Sequence, residues 1–502
     1  GYILKGKGTE TFECRFAYMG FQFVRVTADP GVTVERVEAV PVHTDVAEAG
    51  RFVCSNDVVN RLQDMSRASL LNNFHSIPTD CPHREKQGWT ADTYMTDQAA
   101  IYNFDMAAFY AKWVEDLAGT QDSAGGLCTV APSTGYDQSI STVWPAAIVY
   151  VPWDLLAYYG DRRVVERHYE TMMRFAESSL LRQRDGKPEI IGEVLGDWVS
   201  PHMTLSDTLM SYSMAPPEGL TLYGTASHYR VVRNLAEVAR FLGKRDDAVR
   251  LDAWADRIAR RFNEEFFDAA SGIYHGENPT PYRQAANVVP LEYGLVPEVD
   301  SARVLGSLLR DLDGTRDRIG TGFVGTLSMM ELMPRIDPER AYRLATQPDY
   351  PGWGFMALSG ATTMWETWDG SASRNHPPFC LISAYFYKYL AGIRCDRAYP
   401  GFERFTVDPS VVGDLTFVEA WHDSPYGRIR SEWRRDGSRL TMKVSVPVGT
   451  TATIGVPTRD AAGVAESGRP VSGTDGVKFL RAAGGKAFYE VGSGSYVFTS
   501  RL

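Results

Sequence analysis

The stretch "YRVVRNLAEVARFLGKRDDAVRLDAWADRIARRFNEEFF", residues 229–267, decides the fold class. Its apolar side chains recur at helical spacing in two separate groups. The first group is Val232, Leu235, Val238 and Leu242, and the second is Leu251, Trp254, Ile258, Phe262 and Phe266. Gly243 lies between the groups and suits the end of a helix. The stretch therefore predicts an αα-hairpin, two amphipathic helices joined by a short break.

Similar patterns extend on both sides of this hairpin. Further pairs of helices are expected around 144–181 and 300–346, and single helices around 92–118 and 376–391. Ser55 is predicted to cap the first helix. About a dozen helices in this region would fit six hairpins arranged in a ring. Periodicity alone also permits an open solenoid, although no fixed repeat length is visible.

The chain divides into three regions by residue pattern. Residues 1–45 include "TFECRFAYMGFQFVRVT", which predicts strands and is interpreted as the tail of an upstream β-sandwich domain. Residues 46–394 read as the helical domain. Residues 395–502 return to strands, and "RIRSEWRRDGSRLTMKVSV" alternates apolar and polar residues around Asp436-Gly437. A mainly α protein with a C-terminal β-sandwich and an N-terminal strand remnant is expected.

Composition excludes several classes of function. The 502 residues carry a net charge of −10 and no run rich in lysine and arginine, which argues against nucleic acid as a partner. No apolar run approaches the roughly 20 residues that span a bilayer, so no membrane partner is expected. The six cysteines are irregularly spaced and form no CxxC pair, which predicts neither a metal site nor a disulfide framework. The chain opens with a glycine and strand-like residues, so we expect it to begin inside a longer polypeptide. This leaves the compartment open between cytoplasmic and secreted or periplasmic, and leaves a homodimer open.

The loop "SIPTDCPHREKQGWTAD", residues 76–92, concentrates groups that resist burial. Pro78 and Pro82 exclude a helix there. The loop carries three acids, an arginine and a tryptophan: Asp80, Arg84, Glu85, Trp89 and Asp92. Glycoside hydrolysis requires two carboxyl groups across a sugar ring, one to protonate the leaving group and one to activate water. The alternative is a structural ion-pair loop at a domain junction.

Two other segments place acids beside tryptophans. In "YPGWGFMALSGATTMWETWDG", residues 350–370, Glu366 stands between Trp365 and Trp368. In "EVLGDWVSP", residues 193–201, Asp197 and Trp198 follow each other. A carboxylate flanked by indoles in a glycine-rich stretch favours a binding pocket, with a core tryptophan pair beside a solvated acid as the alternative.

These segments carry a family resemblance. "TDCPHREKQGWTAD" resembles the signature loop of the bacterial inverting α-L-rhamnosidases. The likeness continues at "GDW" (196–198), "GTGFVGT" (320–326), "GATTMWETWDG" (360–370) and "YKYLAGI" (387–393), so it covers essentially the whole chain. The resemblance implies an (α/α)6 barrel with β-domains attached. It also implies an inverting exo-α-L-rhamnosidase that releases terminal rhamnose from glycosides or polysaccharides and requires no metal or organic cofactor.

The resemblance also implies roles for individual residues. Glu85 matches the general acid, and Glu366 matches the general base that activates water. The residues matched to sugar binding are Asp80, Arg84 and Asp92 for hydroxyls, Trp89, Trp144 and Trp198 as aromatic walls, and His376 after the base. The local pattern adds Asp197, Trp365 and Trp368 to the predicted substrate-binding set. If the helices close into a ring, Glu85 and Glu366 should face one pocket, with carboxyl groups roughly 6.5–9.5 Å apart for inversion.

The chain departs from the family pattern in three places. The loop between Arg84 and Trp89 is one residue shorter, and the stretch between Glu366 and His376 is also short. "WPAA" at 144–147 places alanine where the family has an aspartate, at Ala146. These departures keep open a hydrolase of another 6-deoxy or uronic sugar on the same barrel. A carbohydrate-binding relative without turnover and a helical scaffold are the alternatives outside that reaction class. The natural substrate and its linkage are not set by the sequence.

Overall fold

The computed structural model describes residues 1–135, 141–201 and 215–502. The helices of these residues are α1 Asp57–Leu71, α2 Thr90–Asn103, α3 Ala107–Ala118, α4 Ala147–Tyr159, α5 Arg162–Ser178, α6 Thr221–Phe241, α7 Arg245–Phe266, α8 Gln284–Tyr293, α9 Glu298–Thr315, α10 Phe323–Ile336, α11 Pro338–Thr346, α12 Trp353–Leu358 and α13 Leu381–Tyr385. The strands are β1 Gly50–Cys54, β2 Gln183–Arg184, β3 Lys187–Ile191, β4 Phe267–Asp268, β5 Ile273–Tyr274, β6 Ile393–Cys395, β7 Arg404–Val407, β8 Phe417–Ser424, β9 Gly427–Asp436, β10 Arg439–Val446, β11 Thr451–Pro457, β12 Ala465–Glu466, β13 Arg469–Pro470, β14 Val477–Ala483, β15 Lys486–Val491 and β16 Gly494–Arg501.

Six of these helices pack against one another in a row that returns to its start. Helix α2 contacts α4, and the contacts continue through α6, α8 and α10 to α13, which packs on α2. Helices α2 and α4 are buried along almost their whole length, as expected for helices surrounded by protein on all sides. Helices α5, α7, α9 and α11 each pack on a member of this row and expose a polar face.

The hairpin predicted at 229–267 is confirmed by α6 and α7. Gly243 has φ +75°, and the N–H of Lys244 donates to the carbonyl of Ala239 at 2.8 Å, which closes the last turn of α6. Leu235 and Ile258 represent the two apolar stripes, and both are fully buried.

Other helical predictions differ from the structure in detail. The side chain of Asn56, and not that of Ser55, caps α1, because its Oδ1 accepts hydrogen bonds from the N–H groups of Val58 and Val59. Residues 92–118 hold two helices, because Phe104 leaves α2 with an extended backbone. The expected pair at 300–346 is three helices, α9 to α11. Around 376–391, α13 is short and continues as a π-helical turn from Phe386 to Leu390.

The C-terminal strands form two main sheets, with orders β1-β8-β9-β10-β16-β12-β13 and β14-β15-β11-β7-β6. The predicted hairpin is confirmed as β9 and β10, and Gly437-Ser438 form the turn between Asp436 and Arg439. Trp433 is buried, and its indole N–H donates to the carbonyl of Leu390 at 2.9 Å, which ties this sheet to the helical region. Strand β1 precedes α1, so both ends of the helical region attach to the sheets.

The prediction of strands within residues 1–45 is wrong for the structure as described. This segment is extended and mostly exposed, and Ile3, Phe16 and Phe23 each expose more than nine-tenths of their surface. A strand requires a hydrogen-bonded neighbour, and the segment makes only scattered contacts with the described chain, such as Gly20 N–H to the carbonyl of Pro82 at 3.1 Å. No helix in the described part of the chain is long and apolar enough to cross a membrane.

Candidate active site

The loop between α1 and α2 is folded back on itself. The main chains of Asp80 and Gln87 pair, with Asp80 N–H donating to the Gln87 carbonyl at 2.9 Å. The Asp80 carboxylate also accepts the N–H of Gln87 at 2.7 Å. Lys86 takes the left-handed conformation with φ +57°, which lets the chain turn within this short span. Arg84 and Glu85 therefore lie at the tip of a braced loop.

Arg84 joins the two predicted catalytic carboxyl groups. Its Nη2 lies 2.9 Å from Oε2 of Glu366 and 3.3 Å from Oε1 of Glu85. Because both contacts are made by the same nitrogen, the distance between Oε1 of Glu85 and Oε2 of Glu366 cannot exceed the sum of these two distances. The structure thus brings together residues from the first interhelical loop and from the segment before α13.

The two carboxyl groups have different surroundings. The Glu366 side chain is 6% exposed, and its Oε2 also accepts the N–H of Ser373 at 3.0 Å. The Glu85 side chain is 36% exposed, and its Oε2 accepts the indole N–H of Trp89 at 2.8 Å. Trp89, predicted as an aromatic wall, therefore also orients Glu85. One carboxyl group is therefore buried and the other is accessible to solvent.

A second set of predicted residues meets behind this pair. The Nε2 of His376 lies 3.1 Å from Oδ1 of Asp92, and both residues are buried. Burial alone would lower the pKa of His376, but the negative charges of Glu366 and Asp92 raise it well above its ordinary value. Burial raises the pKa of Asp80 to about 6, although the charge of His376 opposes this. Within the part of the chain that the structure describes, the Oδ2 of Asp80 is buried without a hydrogen-bond partner, as suits an atom that awaits a ligand.

The predicted tryptophans other than Trp89 differ in their surroundings. Trp144 and Trp198 pack edge to face with ring centroids 6.4 Å apart, and Trp365 lies under the guanidinium of Arg374 at 5.2 Å. Trp368 is 1% exposed, packs against Phe379 with centroids 4.0 Å apart, and donates its N–H to a backbone carbonyl. Trp368 is thus a core residue, which corrects its prediction as a substrate contact, because no face of its ring is left for a sugar.

Asp197 also differs from its predicted role. It is fully buried, and its two oxygens accept the N–H groups of Gly322 at 2.7 Å and Gly325 at 2.8 Å, at the start of α10. Burial raises the pKa of this carboxyl group to about 7, against the opposing effect of the two N–H groups. Because the carboxyl group is fully buried against the start of α10, Asp197 fixes that helix, which corrects its prediction as a contact to sugar hydroxyls.

Sequence reasoning missed contributors to this site. The thiol of Cys81 is buried and accepts the N–H of Glu85 at 3.3 Å. Tyr18 reaches the loop from the N-terminal segment, where its carbonyl accepts a hydrogen bond from Lys86 Nζ at 2.7 Å and its ring lies 4.5 Å from that nitrogen. The cysteine inside the acid-rich loop was a visible signal, whereas nothing in the strand-like pattern around Tyr18 indicated contact with the loop.

A separate cavity of about 390 Å³ opens toward the other ends of the helices, where α2 contributes Gln98 and Tyr102. Charged side chains line it, but they face each other as ion pairs, including Arg230 with Glu292 at 3.5 Å and Lys388 with Glu331. The group formed by Arg84, Glu85 and Glu366 is the stronger candidate for a catalytic site, because it brings two carboxyl groups together next to the indole of Trp89.

Comparison with known proteins gives a consistent result. Residues 47–390 match a family model described as the bacterial alpha-L-rhamnosidase 6 hairpin glycosidase domain. Residues 392–469 match the C-terminal domain of the same enzymes, and residues 1–43 match their concanavalin-like domain.

Individual relatives agree with these matches. An α-L-rhamnosidase of Streptomyces avermitilis is 31% identical over 99% of this chain and 46% of its own length. The solved structure of an α-L-rhamnosidase from Dictyoglumus thermophilum superposes with a TM-score of 0.85 at 32% identity, over 94% of this chain and 52% of that one. A Streptomyces avermitilis α-L-rhamnosidase complexed with L-rhamnose gives 0.80 at 27% identity, over 91% and 42%. The chain spans about half the length of the curated relatives it matches. By the extent of these matches, the chain belongs to the bacterial α-L-rhamnosidase family.

Proposed function

We propose that this chain forms the catalytic part of an inverting exo-α-L-rhamnosidase, which hydrolyses terminal α-L-rhamnose from glycosides or polysaccharides. The observation that carries the proposal is the placement of Glu85 and Glu366 on one guanidinium nitrogen of Arg84. Family membership supplies the substrate class, and the geometry supplies the two carboxyl groups that glycoside hydrolysis requires.

The roles follow from the surroundings of each group. Glu85 lies at the exposed tip of the loop, where it can reach the oxygen of a leaving group, and we assign it as the general acid. Glu366 is buried and held by Arg84 and Ser373, which suits a base that must position one water molecule. The transition state resembles an oxocarbenium ion. Asp80 and Asp92 would hold sugar hydroxyls, and Trp89 would stack on the sugar face.

The stereochemical outcome depends on the distance between these groups. Retaining enzymes keep their carboxyl groups about 5 Å apart, and inverting enzymes about 6.5–9.5 Å apart, to admit water. In the structure Oε1 of Glu85 and Oε2 of Glu366 lie 3.3 Å and 2.9 Å from the same nitrogen of Arg84, so these two oxygens are closer together than the roughly 6.5 Å expected for inversion. We propose that the bound sugar and its water take over part of these contacts and that the reaction proceeds with inversion, as the family resemblance implies.

The proposed scaffold is an (α/α)6 barrel. Its support is the closed row of contacts α2–α4–α6–α8–α10–α13 and the second layer of helices packed outside that row. An open solenoid would lack the contact between α13 and α2. We retain the division into residues 1–45, 46–394 and 395–502. The change of family match after residue 390 supports the second boundary to within a few residues, and β6 spans it.

Release of p-nitrophenol from its α-L-rhamnoside tests the activity of the purified chain. Glu366→Gln should lower kcat by about 10²–10⁴-fold, the usual contribution of a general base. Glu85→Gln should lose more activity on an alkyl rhamnoside than on the p-nitrophenyl compound, because only the poor leaving group needs protonation. Glu264→Gln, on the exposed face of α7, is the matched control and should behave as the wild type.

Two results would refute parts of this proposal. Equal losses by Glu85→Gln on good and poor leaving groups would remove its role as the acid. Saturable binding of rhamnose without turnover by the wild-type chain would favour the carbohydrate-binding alternative. Turnover of another aryl glycoside at a higher kcat/KM than the rhamnoside would favour a different 6-deoxy or uronic sugar, the alternative motivated by the buried Ala146.

A further inference from the structure

Three potential metal ligands converge beside the two carboxyl groups. One ligand atom each from Asp80, Cys81 and His376 lies within 4.8 Å of the others, and all three residues are buried. Asp80 and Cys81 are adjacent, but His376 comes from a distant segment. No spacing motif in the sequence could therefore reveal this cluster.

Unsatisfied atoms within the cluster point to a ligand. Asp80 uses Oδ1 to accept the N–H of Gln87, and its Oδ2 has no partner. His376 directs Nε2 toward Asp92, and its Nδ1 is buried with no hydrogen-bond partner among the described residues. A histidine whose second nitrogen contacts a carboxylate is the usual arrangement at metal centres, because the carboxylate fixes the ring and its tautomer.

We propose that Asp80, Cys81 and His376 form a binding site for a thiophilic divalent cation, with zinc as its best occupant, and that the ion excludes the sugar. A thiolate, an imidazole and a carboxylate suit zinc and disfavour calcium and magnesium, which require oxygen ligands. The exclusion of sugar rests on the proposed function, since it assumes that Asp80 and His376 contact hydroxyl groups. Binding of the ion does not depend on that assumption.

The geometry and charge of the cluster fit such an ion. Zinc bonds of about 2.0–2.3 Å in a tetrahedral arrangement need ligand atoms about 3.4–3.6 Å apart, so the cluster must contract by roughly an ångström. A thiolate and a carboxylate neutralise the two positive charges, and Asp92 and Glu366 lie close enough to act on His376 electrostatically. The ion displaces protons from the thiol and the imidazole when it binds.

The site also lies against the proposed general acid. The N–H of Glu85 donates to the sulfur of Cys81 at 3.3 Å, so an ion on this sulfur sits next to the acid's main chain. Occupancy should therefore inhibit in two ways, by filling the space of the sugar and by holding the loop tip. Inhibition should be competitive with rhamnoside.

Cobalt serves as a spectroscopic probe for this site. The wild-type chain loaded with Co²⁺ should show a sulfur-to-cobalt charge-transfer band with a stoichiometry of one, and Zn²⁺ should displace it. Cys81→Ser should abolish the band and weaken Zn²⁺ binding, measured by calorimetry, at least tenfold. The serine hydroxyl can still accept the N–H of Glu85, so loss of the band would report the loss of a metal ligand and not of this backbone contact. Cys128→Ser, at a partly exposed thiol elsewhere, is the matched control and should keep the band.

Asp92→Asn gives a second variant, which should weaken Zn²⁺ binding about 10–100-fold by loosening His376, without removing a ligand. A wild-type chain without the charge-transfer band, or Cys81→Ser with unchanged Zn²⁺ affinity, would overturn the site. Zinc binding that depends on Cys81 in a chain that does not hydrolyse rhamnosides would support the metal site and refute the proposed function. Non-competitive inhibition with intact zinc binding would refute the exclusion of sugar.

Discussion

Replacement of Asp197 by asparagine tests whether burial or hydrogen bonding determines the pKa of this carboxyl group. Burial raises its pKa to about 7, even though the N–H groups of Gly322 and Gly325 donate to it. An acid whose pKa is raised in the folded state binds its proton more tightly there than in the unfolded chain. The stability that this proton contributes is complete below about pH 3.8 and is lost as the pH rises through about 7.

The magnitude follows from the two pKa values. Each unit of difference is worth about 1.4 kcal/mol, and roughly two of the three units between 3.8 and 7 lie above pH 5. Between pH 5 and pH 8, the free energy of unfolding of the wild type should therefore fall by about 2–3 kcal/mol relative to that of Asp197→Asn. The asparagine also loses one acceptor for a backbone N–H, but that cost is the same at both pH values and cancels in the comparison.

Urea unfolding of both proteins at pH 5 and pH 8, followed by tryptophan fluorescence, measures this difference. Asp185→Asn, at an exposed turn, is the control, and its free energy of unfolding should differ from that of the wild type by the same amount at both pH values. A difference between wild type and Asp197→Asn that is the same at both pH values would refute the reasoning. It would mean that the hydrogen bonds from α10 keep the carboxyl group ionised in the folded protein.

Three further predictions follow from single contacts. Asp80→Asn should lower kcat/KM for the p-nitrophenyl rhamnoside by about 10–150-fold, the value of a charge-assisted hydrogen bond of about 1.5–3 kcal/mol, and wild-type kinetics would remove Asp80 from the site. His228 is buried, and neither ring nitrogen has a hydrogen-bond partner among the described residues. Burial lowers its pKa to about 3, so the folded state loses stability as the pH falls below about 6.5. As the pH falls from 6 to 4, the free energy of unfolding of His228→Leu should rise relative to that of the wild type by about 1.4 kcal/mol per pH unit. A difference in free energy of unfolding that stays constant over this range would contradict the prediction. Gly20→Ala would place a Cβ 2.8 Å from Pro82 Cγ and should speed hydrogen exchange in the 79–89 loop, whereas Gly314→Ala, with open space around it, should not; equal exchange in both would contradict the contact.

The helical fold was predictable wherever one face of a helix is buried. The two stripes that contain Leu235 and Ile258 are periodic because only one side of α7, and of the C-terminal half of α6, meets the core. Breaks between helices were harder to predict, since Phe104 ends α2 through its backbone conformation and its apolar side chain gives no signal. Residues 1–45 misled the prediction because β-branched and aromatic residues favour strands only where a neighbouring strand is present.

The candidate site was predictable as a set of residue types and less so as a set of contacts. The acid-rich loop and Glu366 stood out because carboxyl groups beside indoles are unusual outside pockets. The same pattern could not separate Trp368, which is buried in the core, from Trp89, which contacts Glu85. Nor could it assign Asp197 to the start of α10, because the N–H groups that it binds belong to a segment far along the chain.

The configuration of the first sugar released tests the central claim most directly. Proton NMR can follow the anomeric signals while the chain hydrolyses p-nitrophenyl α-L-rhamnoside, before mutarotation mixes the anomers. If Glu366 directs water to the face opposite the oxygen that Glu85 protonates, β-L-rhamnose should appear first and the α anomer should follow slowly. Initial release of α-L-rhamnose would contradict the account, because it would require a covalent intermediate on one of the two carboxyl groups that Arg84 holds together.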